Sequence, residues 1–317
     1  MIGDANQSVP VDRRVIIYRI VMRLSILLVV VLAVKFLLLD TVEIRTNQMF
    51  PTLREGDRAV LLRLRSHFPL NPIWGMHIGT IAVLGDASST ERWNCLRVAG
   101  LPGDTVWALD GIFDNTSRRL PRRVHWSTAT DTLPAEYSPR DNMPAYRVPR
   151  RGDVFSLDSL GFRDFFFTTG IIRQQNPGKR YIVRPALYVD GQLRAGYSVN
   201  DFTLYKGNLD SVPEPLRSDW FFWERLRDHL VRAMANREAW LSFSLWEGGA
   251  MVARYRMKES CIFVLADSWA AGFDSRYFGP VSASAVKGTV HLVLWSVRPR
   301  SEKGFRLRLS RIFRIIL

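Results

Sequence analysis

Among side chains able to do covalent or metal chemistry, cysteine is the scarcest: only Cys95 and Cys261 occur in 317 residues. Two thiols cannot form a metal cluster or a disulfide framework. They read as two unrelated buried cysteines, with a single bridge in an oxidising compartment as the alternative. Six of the 44 basic residues are lysine, at positions 35, 179, 206, 258, 287 and 303; the rest are arginine. The densest local constellation is Met49-Phe50-Pro51-Thr52-Leu53-Arg54-Glu55-Gly56-Asp57. Pro51 fixes its own φ and pushes Phe50 into an extended conformation, and Gly56-Asp57 marks a turn ahead of the apolar run 59–64.

Ten residues before that stretch lies the one strongly apolar run. Residues 15–39 are apolar except for Arg19, Arg23 and Lys35, long enough to cross a bilayer as a helix. No small-x-small cleavage site follows Lys35, so the run reads as a transmembrane helix rather than a removed signal peptide. Arg13, Arg14, Arg19 and Arg23 stand at its start against Lys35 and Asp40 at its end. The polar residues 1–14 are therefore expected in the cytoplasm and everything after Asp40 outside it, at the plasma (inner) membrane. A net charge of +14 points to nucleic acid, an anionic membrane surface or acidic partners. No ordered nucleic-acid motif accompanies the charge, so the membrane reading is preferred and no nucleic acid is expected.

Beyond the membrane run the pattern becomes short strands. Runs at 41–45, 59–64, 80–84, 95–99 and 105–109 are divided by Gly56-Asp57, Asn71-Pro72, Gly85-Asp86 and Leu101-Pro102-Gly103-Asp104, with Asp110-Gly111 as a hairpin signal. Residues 114–150 lack periodicity and read as an insertion loop. Asp190-Gly191 marks a further hairpin. Residues 219–240 carry Phe222, Leu226, Leu230 and Met234 at helical spacing. Strands are expected at 251–257, 261–265 and 289–295. In residues 304–317, Phe305, Leu309, Ile312, Phe313 and Ile316 share one helical face, which reads as a basic helix lying in a membrane interface or docked on its own domain.

A membrane helix followed by Thr46-Asn47-Gln48-Met49-Phe50-Pro51-Thr52-Leu53-x-x-Gly56-Asp57 resembles the first conserved box of the type I signal peptidases, the S26 leader peptidases. Their segment reads Ser-x-Ser-Met-x-Pro-Thr-Leu-x-x-Gly-Asp. Arg97-Val98-Ala99-Gly100-Leu101-Pro102-Gly103-Asp104 is similar to the family's Lys-Arg-Val-x-Gly-x-Pro-Gly-Asp. Asp267 with Asp274-Ser275-Arg276-Tyr277-Phe278-Gly279 is similar to its Gly-Asp-Asn-x-x-x-Ser-x-Asp-Ser-Arg-x-Trp-Gly box. The Val148–Asp153 segment and the basic tail Arg308–Phe313 resemble the enzymes of Bacteroidetes-type bacteria. The resemblance implies a mainly β fold: a signal-peptidase-like antiparallel domain over 41–298, with a cap and a helical insertion at about 110–246. A transmembrane helix at 15–39 precedes it, and a basic amphipathic tail at 299–317 follows.

The family's chemistry is a Ser/Lys dyad: a serine hydroxyl attacks an acyl carbon once a lysine with depressed pKa takes its proton. Here the nucleophile position is Gln48 and the base position Leu96. The serine that orients the lysine falls at Gly272, and Gly-Asp-Asn becomes Ala266-Asp267-Ser268. The absence of histidine at the base position excludes the Ser/His variant. Thr46 aligns with the serine that helps form the oxyanion hole and keeps that hydrogen-bonding role. As a nucleophile it would need a base, and Lys258, nine residues before Asp267, reaches the site only in an unexpected register. Met49, Phe50 and Pro51 are expected to line a substrate groove, and Asp267 and the Asp274/Arg276 pair to hold the scaffold. No metal and no cofactor is implied.

The resemblance therefore implies a membrane-anchored signal peptidase homologue without peptidase activity. It would bind extended segments of exported preproteins, or compete with an active paralogue. An active signal peptidase with an unusual nucleophile such as Thr46 is the alternative, and nucleic-acid binding through the arginine surplus is a third.

Overall fold

A computed structural model describes residues 13–63, 76–85, 93–117, 141–234, 237–270, 272–297 and 306–316. Helix α1, Arg13–Leu38, runs straight into strand β1, Leu39–Glu43. Its apolar side chains between Ile17 and Leu32 are exposed. Among the described residues no helix is long and apolar enough to cross a membrane.

The body is mainly β. Strands β2 (Asp57–Leu62), β3 (Ile81–Gly85), β4 (Trp93–Gly100), β5 (Thr105–Leu109), β6 (Ile112–Asn115), β7 (Met143–Arg147) and β8 (Val154–Ser156) lead to helix α2, Phe162–Gln175. Then come β9 (Tyr181–Val189), β10 (Gln192–Leu193), β11 (Ser198–Val199), β12 (Gly207–Asn208), helices α3 (Glu214–Arg217) and α4 (Trp220–Ala233), and β13 (Ala239–Glu247). The chain closes with β14 (Ala250–Met251), β15 (Arg254–Arg256), β16 (Cys261–Leu265), helix α5 (Ser275–Phe278), β17 (Val281–Ser282), β18 (Val286–Ser296) and β19 (Arg314–Ile315).

The main sheet runs β1-β2-β18-β3-β4-β16-β17, with β19 added on β18; smaller sheets are β6-β5-β7 and β10-β9-β13-β14. Among the described residues every pairing of named strands is antiparallel.

All five residues of β16 are buried, and strand periodicity explains why. Ile262 and Val264 point into one core, with Met49, Leu53, Leu96, Val98 and Val290. Cys261, Phe263 and Leu265 point into a second, with Phe113, Phe167, Trp223 and Leu226. The strand is a wall with a core on each side.

This placement rules out the Cys95–Cys261 bridge. Arg97 pairs with Leu265 and Gly100 with Phe263, so the cysteines lie at opposite ends of the paired strands, roughly 20 Å apart at 3.3 Å per residue, and face different cores. A disulfide needs Cα atoms within about 7 Å. Burial pushes both thiols up to about 12. Neither is therefore expected to react with a disulfide reagent at pH 8 in the folded protein, and both are expected to react in guanidinium; a thiol titration checks this.

Several expectations are corrected. The helix of residues 219–240 stops at Ala233, because residues 239–247 pair one for one with β9. Trp240 is thus a strand residue, stacked on Tyr188 at 5.2 Å. Within residues 114–150, Met143–Arg147 is a strand paired with β5; residues 118–140 lie outside the described ones. The tail is not an amphipathic helix over its described residues. Residues 309–311 form a single 3-10 turn, and Ile315 and Arg314 pair with Leu292 and Val293 of β18. The helical reading placed Arg311 on a solvent face, whereas Arg311 is buried and Leu309 and Phe313 are exposed; Phe305 is outside the described residues. Helix α2 has no counterpart in the expectations. Its run Phe162-Arg163-Asp164-Phe165-Phe166-Phe167-Thr168-Thr169 is aromatic and polar without a clean single-face period.

Candidate functional site

The segment after β1 turns back on itself. The amide of Ile44 donates to the carbonyl of Asp57, the amide of Gly56 donates to the carbonyl of Ile44, and the amide of Leu53 donates to the carbonyl of Met49, each at 2.8 Å. Gly56 sits at φ 85°, where glycine is free of the Cβ penalty. Met49 and Leu53 point inward, 1% and 0% exposed. Met49 is therefore floor rather than groove wall. Phe50, whose peptide bond to Pro51 is cis, and Pro51 stay partly exposed. The Arg54 guanidinium lies 5.2 Å over the Phe50 ring.

Two buried arginine–carboxylate pairs hold this segment. Beneath Thr52, Arg97 donates from Nε to Asp267 Oδ1 at 2.7 Å and from Nη2 to Oδ2 at 2.6 Å, and from Nη1 to the Gly79 carbonyl at 2.7 Å. Thr52 Oγ1 donates to Asp267 as well. At the far end, Arg311 of the tail donates from Nε to Asp57 Oδ1 at 2.9 Å and from Nη2 to Oδ2 and to the Thr52 carbonyl. Arg308 Nη1 donates to the Glu55 carbonyl at 2.9 Å. The tail thus works as a strap across residues 52–57, a role that sequence reading missed; the alternation of arginines with apolar residues was its one signal.

A third pair closes the next loop. Asp274 caps α5 and accepts from Arg276 N at 3.0 Å, from Arg276 Nε and Nη2 at 2.9 Å each, and from Ala266 N at 2.9 Å. Arg276 also donates to the Trp269 carbonyl at 2.9 Å, with its guanidinium 3.9 Å over the Trp269 ring. Both members are fully buried, so the two ends of loop 266–274 are tied together.

The dyad-equivalent positions converge on this framework. Gln48 is partly buried, and its carbonyl accepts from Ser268 N at 2.9 Å. Leu96 is 1% exposed, opposite Ala82 in register, and packs in the same core as Met49 and Ala266. A carbon side chain supplies no lone pair there. At Gly272 a Cβ would lie 2.1 Å from the Cβ of Ala266 and 2.8 Å from the Ser268 carbonyl oxygen. A serine at 272 therefore meets two obstacles, the Ala266 Cβ, which a glycine at 266 would remove, and the Ser268 carbonyl oxygen, which the loop backbone must move to clear. The Ser268 hydroxyl is fully buried with no hydrogen-bond partner among the described residues.

Thr46 is exposed, two residues from Gln48. Lys258 does not reach it. Its ammonium donates to Asn176 Oδ1 at the C-terminal cap of α2, and β16, roughly 17 Å long, separates that end from Asp267. Among the described residues no group of three or more His, Cys, Asp or Glu could hold a metal ion.

The strand order and the buried pairs define a signal-peptidase-like antiparallel β domain. The chain matches the family model described as signal peptidase, peptidase S26, over residues 17–155 and 187–295, and so belongs to that family. No curated protein matches it. The match omits residues 156–186, which hold α2.

Proposed function

We propose that this chain exercises the signal-peptidase-I-like function of its family as a binder: an S26 homologue without peptidase activity, anchored in the plasma membrane with its N-terminus cytoplasmic, holding extended segments of exported proteins against residues 48–52 on the far side. The observation that carries this reading is Leu96, sealed in the core where a Ser/Lys mechanism needs an amine. Residues that act as a catalytic unit fail together, so losing nucleophile and base removes most of the rate. What supports binding is the retained framework: the Arg97–Asp267, Arg311–Asp57 and Arg276–Asp274 pairs keep the family's loops in place. What supports the anchor is the apolar run of residues 15–39, whose side chains from Ile17 to Leu32 are exposed.

The test is fluorescence anisotropy of a labelled, signal-bearing preprotein segment with the purified full chain in nanodiscs. Saturable binding weakened at least tenfold by Pro51→Asp is the expected result. Binding indistinguishable from that of empty nanodiscs would overturn the reading.

A further inference from the structure

The element outside the family match builds a cavity against the site loop. Helix α2 contributes Phe166, Phe167 and Gly170, α4 contributes Trp220, and the residues following Gly272 contribute Phe273, Tyr277 and Phe278. The cavity measures about 350 Å³. Phe273 stacks on Tyr277 at 5.4 Å and meets Phe278 at 5.7 Å, while Phe167 meets Trp220 edge-on at 6.0 Å. Trp220 Nε1 donates to the Tyr277 carbonyl. The inserted helices and the site loop are thereby fastened to each other around the opening.

The charged side chains of the lining are already matched. Arg173 pairs with Glu214 at 3.0 Å and donates to Ser218 Oγ, and Asp219 caps α4, accepting from Phe221 N at 3.0 Å. The cavity offers rings and no unmatched cation, which favours a neutral, flat, apolar occupant packed edge to face. Its volume is at the small end of ligand sites, the scale of one large side chain. Gly170 is the second sign. A glycine inside a helix costs about 1 kcal/mol against alanine, yet a Cβ there would meet only the Phe278 carbonyl oxygen, at 3.8 Å. Close packing therefore does not explain the glycine, which lies on the cavity wall.

We propose that this cavity is a side-chain subsite that takes an aromatic residue of the bound polypeptide, and that α2 is the element that gives this chain the subsite. The proposal rests on the reading of residues 48–52 as a polypeptide-binding site, to which loop 266–274 connects it. Phe273 lines the cavity and Ser268 N binds the Gln48 carbonyl, so an aromatic anchor would fix the register of the chain lying along the site.

The experiment is 19F NMR of N-acetyl-5-fluorotryptophanamide with the full chain in nanodiscs, referenced to empty nanodiscs. The expected result is saturable line broadening, displaced by N-acetylphenylalaninamide and not by N-acetylalaninamide or decanoate. Gly170→Leu, which fills the cavity and raises helix propensity, is expected to weaken the effect at least tenfold. Equal binding by Gly170→Leu, or displacement by decanoate alone, overturns the proposal. A preprotein segment without aromatic residues separates the two readings. Its anisotropy binding should be unchanged in Gly170→Leu. If that segment fails to bind while the amide binds, the groove reading falls and the cavity stands.

Discussion

Asp267→Ala is expected to lower the unfolding free energy by roughly 3–5 kcal/mol, the size seen when one member of a buried ion pair is removed. The loss comes from what remains. Arg97 is 3% exposed, and without the carboxylate its Nε loses its acceptor, its Nη2 is left with Thr52 Oγ1 at 3.2 Å, and the Thr52 hydroxyl loses its own acceptor. The Gly79 carbonyl and the Thr52 hydroxyl cannot compensate for a bidentate carboxylate. Removing both charges in Arg97→Met/Asp267→Leu should recover most of the loss, since a packed apolar pair of similar volume is often neutral or better. Denaturant unfolding followed by tryptophan fluorescence measures both. A loss below about 1 kcal/mol for Asp267→Ala would mean that water reaches Arg97 and that the pair does not hold the site segment.

The second large effect is a coupling. Gly272→Ser alone is expected to destabilise by about 1–3 kcal/mol, the cost of overpacking a filled site, because its Cβ would lie 2.1 Å from that of Ala266. In an Ala266→Gly background the contact with the Ala266 Cβ is gone while the Ser268 carbonyl oxygen still lies 2.8 Å from the new Cβ, so the same substitution should cost markedly less without becoming free. The double-mutant cycle should therefore show a favourable coupling above about 1 kcal/mol. Additive losses would show that loop 266–274 relaxes freely and that positions 266 and 272 changed independently.

The comparison with the sequence is uneven for physical reasons. Turns were legible because their chemistry is local: Asp110-Gly111 and Asp190-Gly191 adopt positive φ at both residues, as two-residue hairpins require. Six strands of the main sheet, β1 to β4, β16 and β18, were legible to within a few residues from their apolar runs, whereas the two-residue strands β17 and β19 were not. The Asp274/Arg276 pair could be anticipated because two residues suffice to form it. Arg311 with Asp57, 254 positions apart, could not: a basic residue among apolar ones reads as a solvated helix face unless the buried carboxylate is known. Helix α2 escaped because its faces are both covered, by the second core and by α4, which erases amphipathic periodicity. At the site, residue identities told which groups were missing, while Leu96's burial and the Ala266–Gly272 exchange appeared only once the chain was folded.

The central claim, that this site holds a chain without cutting it, is tested most directly by mass spectrometry of a signal-bearing preprotein incubated with the full protein in nanodiscs. The substrate is predicted to remain intact with the native sequence and with Thr46→Ala, and to be cleaved at one site by Gln48→Ser/Leu96→Lys/Ala266→Gly/Gly272→Ser. Cleavage by the native sequence that Thr46→Ala abolishes would contradict the account.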